Sequence, residues 1–313
     1  MKNSFKTLLI TFLLVSTSNY AQEFCIPFHI SPNGKDIILE GYEMKGEKLD
    51  LLYDSGTMGN LLSRSAAEQM GFALSQDSSR FKILDGRKFT SYYFTSFYID
   101  PFWDLFVSAT SDSAMKELAG EGVDGLVGFT RALDKYMLEL DFENSRLCFW
   151  NSIPDFYATD KRVMSIPLVR SDYEAEIEES RYLARNVFSI KGTVSIADSV
   201  VNTTFILDSG CQRYLLYHYF DENLFNKAIN YKKEITEKYG NDRPTTKLSI
   251  PELGIDSLMT SIPSTPMFDR NDLHGLCFGR RPIGCYLGVY FFRQYKKILF
   301  DWRNKMAYFY KGD

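Results

Sequence analysis

The chain has 313 residues, 45% of them hydrophobic, with a formal net charge of −4. That balance is globular; it excludes a disordered chain and lacks the basic excess of a nucleic-acid-binding protein. Three scattered histidines (His29, His218, His274) and five cysteines with no Cys-x-x-Cys pair argue against a Ser-His-Asp hydrolase or a structural zinc site.

Residues 1–21 read as a secretory signal: Lys2 and Lys6, an apolar stretch from Leu8 to Val15, then small and polar residues ending near Ala21. The stretch is too short to span a bilayer, and nothing later reaches the required length. Cys25 follows Glu23 and Phe24, not the small residues that precede a lipoprotein cysteine. The expectation is an exported protein, periplasmic or extracellular, without stable membrane insertion.

Ile37-Ile38-Leu39 and Leu49 to Tyr53 read as strands, the second running into Asp54-Ser55-Gly56. Apolar residues leading to Asp, a hydroxyl residue and Gly describe a buried strand entering a tight turn, with the carboxylate held at the turn. Ser63 to Gly71 is helix-like. Phe81 to Phe89 reads as a hairpin with Asp85-Gly86 in a tight primed turn, followed by Tyr92, Tyr93 and Tyr98. Ser111 to Glu121 reads as a polar loop, Ala132 to Tyr136 as a short helix, and strands are expected around Asp141-Phe142 and from Leu147 to Trp150. Asp124, Asp141 and Asp301 fit backbone capping better than chemistry.

The pattern loosens between Asn151 and Lys161, which divides the mature chain into domains 22–155 and 156–313. Residues 171–185, rich in Glu, Ser and Arg, read as an inserted, solvated segment. Asp221 to Lys238 reads as a helix with an apolar stripe of Leu224, Phe225, Ala228, Ile229 and Ile235. Ile250 to Pro266 reads as strand and loop.

The two halves repeat each other. Ile206-Leu207-Asp208-Ser209-Gly210-Cys211 is a second copy of Leu52-Tyr53-Asp54-Ser55-Gly56-Thr57. Leu61-Leu62 and Leu215-Leu216 follow each Asp at the same spacing. Leu126-Val127-Gly128 and Tyr286-Leu287-Gly288 come later, each Gly thirteen residues before an Asp (Asp141, Asp301) that is itself three before an Asn (Asn144, Asn304). Ile26-Pro27 and Ile166-Pro167 precede the motifs, the second with 14 extra residues before its Asp. Landmarks in one order at matching spacing indicate internal duplication.

A duplicated Asp-Ser-Gly followed by apolar-apolar-Gly resembles the aspartic peptidases of the pepsin and retropepsin group, over nearly the whole mature chain from Ile26 to Tyr310. The resemblance implies a mostly β fold of two homologous retropepsin-like β-barrel lobes in a pepsin-like bilobal arrangement with short helices. It implies that Asp54 and Asp208 face each other in a cleft, share one proton and activate a water for peptide-bond hydrolysis. It gives Ser55 and Ser209 hydroxyls that bond across to the opposite loop, and Gly56 and Gly210 backbone close to the carboxylates. Thr57 is placed to hydrogen-bond the outer oxygen of Asp54. Cys211 is a weaker donor at the matching place, a departure expected to weaken ionisation of Asp208; an exposed Cys211 would also be open to oxidation. The 81–89 hairpin would be a flap over the cleft.

The implied substrate is an extended polypeptide, the implied protein a monomer, and no cofactor is required. The other reading is a catalytically silent protein of the same fold that binds peptides or other ligands in the cleft. Cys277 and Cys285 are one candidate disulfide among several connectivities of five cysteines.

Overall fold

The computed structural model describes residues 24–57, 59–82, 87–99, 105–129, 131–177, 180–196, 198–211, 216–217, 230–231, 233–238, 246–260, 276–277 and 285–312. The expected signal at 1–21 lies outside them, as does most of the expected helix at 221–238, of which residues 230–231 and 233–238 are described and helical.

The first half contains β1 (Phe24–Ile30), β2 (Ile37–Met44), β3 (Glu47–Tyr53), β4 (Asn60–Ser63), β5 (Leu74–Lys82), β6 (Lys88–Ile99), β7 (Leu105–Thr110), β8 (Gly125–Val127), β9 (Met137–Asp141) and β10 (Arg146–Trp150). Helix α1 (Arg64–Gln69) follows β4, and α2 (Asp112–Ala119) follows β7. Helix α3 (Asp155–Thr159) occupies the expected domain boundary. The second half contains β11 (Val163–Pro167), β12 (Val169–Ile177), β13 (Ser180–Ile196), β14 (Ser199–Leu207), β15 (Leu216–Tyr217), β16 (Thr246–Ile250), β17 (Ile255–Thr260), β18 (Leu276–Cys277) and β19 (Cys285–Leu287). It ends with α4 (Val289–Phe292), β20 (Lys297–Asp301) and β21 (Met306–Tyr310).

The protein is therefore mostly β, in two large mixed sheets. One runs β11-β21-β20-β9-β10-β1-β2-β3-β8-β4-β7-β6-β5; the other runs β15-β19-β14-β13-β12-β18, with β16 and β17 branching from β13. Among the described residues neither sheet closes on itself, so the expected barrels are not seen as closed barrels. The physical reason lies in β9 and β20. Instead of completing its own half, each pairs antiparallel with the other, Leu140 opposite Ile298 and Leu138 opposite Phe300.

That pairing builds an antiparallel six-strand stretch, β1-β10-β9-β20-β21-β11, whose two ends are copies of each other. Ile26 opposes Leu147 in one, Ile166 opposes Ala307 in the other. Both hairpins turn alike: Asn144 N–H and Nδ2 donate to Asp141 at 3.0 and 2.7 Å, Asn304 to Asp301 at 3.1 and 2.6 Å. Ser145 and Lys305 then take the same left-handed step, φ 53° and 56°. Asp124 likewise accepts the N–H of Asp50 at 2.9 Å, so all three of these carboxylates cap backbone.

A connected apolar core runs through both halves, from Ile26, Tyr53 and Phe149 to Phe188, Phe300 and Phe309. Phe129 meets Phe149 edge-on at 4.9 Å between centroids, and Phe188 stacks on Phe300 at 4.3 Å; aromatic pairs of this kind add roughly 0.5–1.5 kcal/mol beyond their buried area. Cys25 and Cys148, direct partners on β1 and β10, form a disulfide. The side chains of Cys277 and Cys285 lie outside the described residues.

Several local expectations change. Residues 112–119 form α2, not loop: Ser111 Oγ accepts the N–H of Ala114 at 3.2 Å, an N-cap that the polar composition concealed. The same device starts α1, with Ser63 accepting from Ala66. The expected helix at 132–136 is a single 3-10 turn, Ala132–Asp134. The insertion at 171–185 lies in the β12–β13 hairpin. In the β5–β6 hairpin Phe81 pairs with Phe89 and Lys82 with Lys88. The expected Asp85-Gly86 turn lies outside the described residues. No helix among the described residues is long and apolar enough to cross a membrane.

Candidate active site

Each Asp-Ser-Gly follows the last residue of a strand whose parallel neighbour carries the apolar-apolar-Gly motif. β8 runs parallel to β3 with Tyr53 beside Val127, and β19 runs parallel to β14 with Leu207 beside Leu287. The pairing carries one step past the strand: Asp54 N–H donates to Val127 O at 2.9 Å, Asp208 N–H to Leu287 O at 3.0 Å. β8 is also held antiparallel by β4, and β19 by β15. Both aspartates thus leave strands fixed on two sides.

The two turns meet. Ser55 N–H donates to Ser209 Oγ at 2.8 Å, and Ser209 N–H to Ser55 Oγ at 2.9 Å. Ser55 Oγ donates to Leu207 O at 2.8 Å, and Ser209 Oγ to Tyr53 O at 2.9 Å. Ser55 is 4% exposed and Ser209 fully buried, so all four bonds are shielded from water, where an unmade partner costs most.

The glycines explain the closeness of the carboxylates. A Cβ on Gly56 would stand 2.6 and 2.7 Å from the two carboxylate oxygens of Asp208; a Cβ on Gly210 would stand 2.5 Å from both of Asp54. Each carboxylate therefore packs on the bare backbone of the opposite turn. Gly56 N–H donates to Asp54 Oδ1 and Gly210 N–H to Asp208 Oδ1, both at 2.9 Å.

The two carboxyl groups lie close enough to shift each other's proton affinity, and two neighbouring acids favour holding one proton between them over carrying two charges. Burial pushes Asp54 above the ordinary carboxylate value, opposed by hydrogen bonds from Asp208 and the backbone N–H groups of Gly56, Gly210 and Thr57. Burial pushes Asp208 well above it, and the charge of Asp54 adds to the rise. Asp208 is 3% exposed, whereas Asp54 keeps partial access to solvent.

Thr57 differs from expectation. Its hydroxyl donates to Gly59 O at 2.8 Å, while its backbone N–H donates to the Asp54 main-chain carbonyl at 3.2 Å and draws the Asp54 carboxyl down. The backbone N–H of Cys211 likewise donates to the Asp208 main-chain carbonyl, at 3.1 Å, and draws the Asp208 carboxyl down. The Thr/Cys difference is thus bypassed by main chain, which every residue type but proline supplies. Cys211 is buried, 5% exposed, not exposed to oxidant.

Two site residues escaped the sequence reading. Asn60, 6% exposed, accepts Gly128 N–H at 2.9 Å and donates to Leu105 O at 3.3 Å, tying the end of β8 to β4 and β7. The second copy has Tyr214 at the matching position, so repetition gave no signal. Tyr286, 2% exposed, lies close enough to the dyad that burial and then the charges of Asp208, Cys211 and Asp54 hold its phenol protonated. Its place in an apolar motif hid it. Among the described residues no cluster of three His, Cys, Asp or Glu side chains could hold a metal ion.

No protein-family model matches this chain, and no curated protein does.

Proposed function

We propose that the chain is an exported aspartic endopeptidase of the pepsin and retropepsin kind, its two halves forming two related lobes with the substrate cleft between them. One observation carries the reading: two symmetry-related Asp-Ser-Gly turns hold two carboxyl groups side by side, each packed on the other turn's glycine. Two acids at that distance cannot both ionise cheaply, so the pair holds a single proton. That state has one base and one acid facing the same space. The ionised carboxylate takes a proton from a water as it attacks the peptide carbonyl; the protonated one donates to the carbonyl oxygen. Serine hydroxyls fix the two turns and backbone N–H groups fix the carboxyls on them, so little reorganisation accompanies the proton shift.

An extended polypeptide is the substrate class that the β-rich surroundings suit, through strand-like main-chain bonding. The Cys25–Cys148 disulfide fits an oxidising compartment outside the cytosol. The test is cleavage of a peptide library between about pH 3 and pH 8 by the protein, Asp54→Asn and Asp208→Asn. Loss of cleavage in both variants, and inhibition of the parent by a statine-type compound, is the expected result. A folded parent inert across that range sinks the peptidase and leaves a cleft that only binds.

A further inference from the structure

The duplication brings two aspartates, Asp141 and Asp301, to the same corner of equivalent hairpins, but gives them opposite surroundings. Asp141 is fully buried and neutralised twice, by Lys297 Nζ at 3.1 Å and Arg146 Nε at 3.2 Å. Lys297 is its cross-strand partner on β20 and Arg146 its partner on β10. The same two places around Asp301 hold methionines. Met306 is its partner on β21, and continuing the β9–β20 register puts Met137 opposite it. Asp301 is 1% exposed; among the described residues its side-chain bonds come from Asn304 alone and no ion pair reaches it. A buried carboxylate without a cation is costly, and a cation supplied to it is correspondingly favoured.

A cavity of about 460 Å³ opens at that corner, lined by Asp301, Met137, Ile153, Tyr308, Asn151 and Arg303, among others. Met137 is where the second copy carries Lys297, so the cavity occupies the side from which an ammonium approaches the aspartate in the other half. Tyr308 lines the same cavity as Asp301, and burial and then the charge of Asp301 raise the pKa of its phenol. Met137, Ile153 and the Tyr308 ring give the cavity apolar walls. Arg303 at the rim donates to Asn151 O at 2.9 Å.

We propose that this cavity is a binding site for a primary ammonium group carried on a small apolar body, the ligand's nitrogen standing at Asp301 where Lys297 Nζ stands at Asp141. The site lies on the hairpins that join the halves and does not depend on the dyad's chemistry. Two sources share this chemistry, a simple alkylamine (a lysine side chain in effect) and a free α-amino acid whose carboxylate would meet Arg303.

Isothermal titration of the full chain with n-butylammonium and, separately, L-leucine at fixed ionic strength tests it. Saturable binding with Kd of about 1 mM is expected for the better of the two. Tighter leucine binding identifies the amino acid, tighter butylammonium binding the alkylamine, and either supports the site. Asp301→Asn removes the anion and should weaken binding at least about tenfold. Met137→Lys copies the other half, supplies the ammonium from within, and should abolish binding while raising Tm; it stands in if Asp301→Asn fails to fold. No saturable heat with either probe, or binding unchanged by Met137→Lys, overturns the proposal.

Discussion

Ser55 and Ser209, 154 positions apart, each donate a backbone N–H to the other's hydroxyl. The exchange makes each half's turn part of the other's hydrogen-bond inventory. Ser209→Ala would strand the Ser55 N–H and the Tyr53 carbonyl, both buried, at about 1–3 kcal/mol each. Ser209→Thr, which keeps the hydroxyl, should lose much less. Urea unfolding of the two variants measures the difference; equal losses would mean that the hydroxyl bonds contribute nothing.

Gly56→Ala and Gly210→Ala should fold yet lose about a hundredfold in kcat on any cleaved peptide, because the new methyl displaces the opposite carboxylate. The cause is contact, so each variant damages the aspartate of the other half. A structure of Gly56→Ala in which Asp54, not Asp208, has moved would contradict it.

Asp54, Asp208 and Glu139 all have carboxyls raised by burial in the folded protein. A raised folded value means the native state binds the proton more tightly than the unfolded chain. Their contribution is therefore fully present below the unfolded value, near 3.8 for the aspartates, and is lost as pH rises through the folded values. Asp141, lowered against its burial by Asn144 and Lys297, works in the opposite sense, losing stability only as pH falls below the ordinary carboxylate value. Tm should be highest in mild acid and decline toward neutrality. In Asp208→Asn the decline should flatten, as thermal scans from about pH 4 to pH 8 will show.

Thr57→Val removes a hydroxyl that serves Gly59 and leaves the N–H that serves Asp54. The shape of the pH–rate profile should be unchanged, with at most about 0.5–1.5 kcal/mol lost in stability. Cys211→Ser should likewise leave the profile in place. A displaced optimum in either variant would return the role to the side chains.

Reducing the Cys25–Cys148 bridge, which spans a sequence separation of 123, should cost about 5 kcal/mol by the chain-entropy account. Cys25→Ser measured against the oxidised parent in urea gives the number, and no shift in midpoint would show that β1 is held by its ladder alone.

Repetition made the site legible. Asp54, Ser55 and Gly56 match Asp208, Ser209 and Gly210 letter for letter, and Asp141 and Asn144 match Asp301 and Asn304 at one spacing, so the turns and caps could be read as pairs. Where the copies differ, reading failed. Asn60 has Tyr214 as its counterpart and Tyr286 has Leu126, and neither stood out. Ser111–Glu121 was misjudged because a helix of eight residues with a serine cap looks, in composition, like a polar loop.

The sequence by itself determined the duplication, the strand-into-turn form of both aspartate motifs and the residue types a paired-acid site needs, since these depend on local spacing. Tertiary structure alone decided which atoms meet. It joined β9 to β20 and left the sheets open, chose Cys148 for Cys25, sent the Thr57 hydroxyl to Gly59, and gave Asp141 two cations and Asp301 two methionines. Apart from the Thr57–Gly59 bond and the partners within each hairpin, those outcomes follow from register between strands more than a hundred residues apart, where a shift of one residue exchanges every partner.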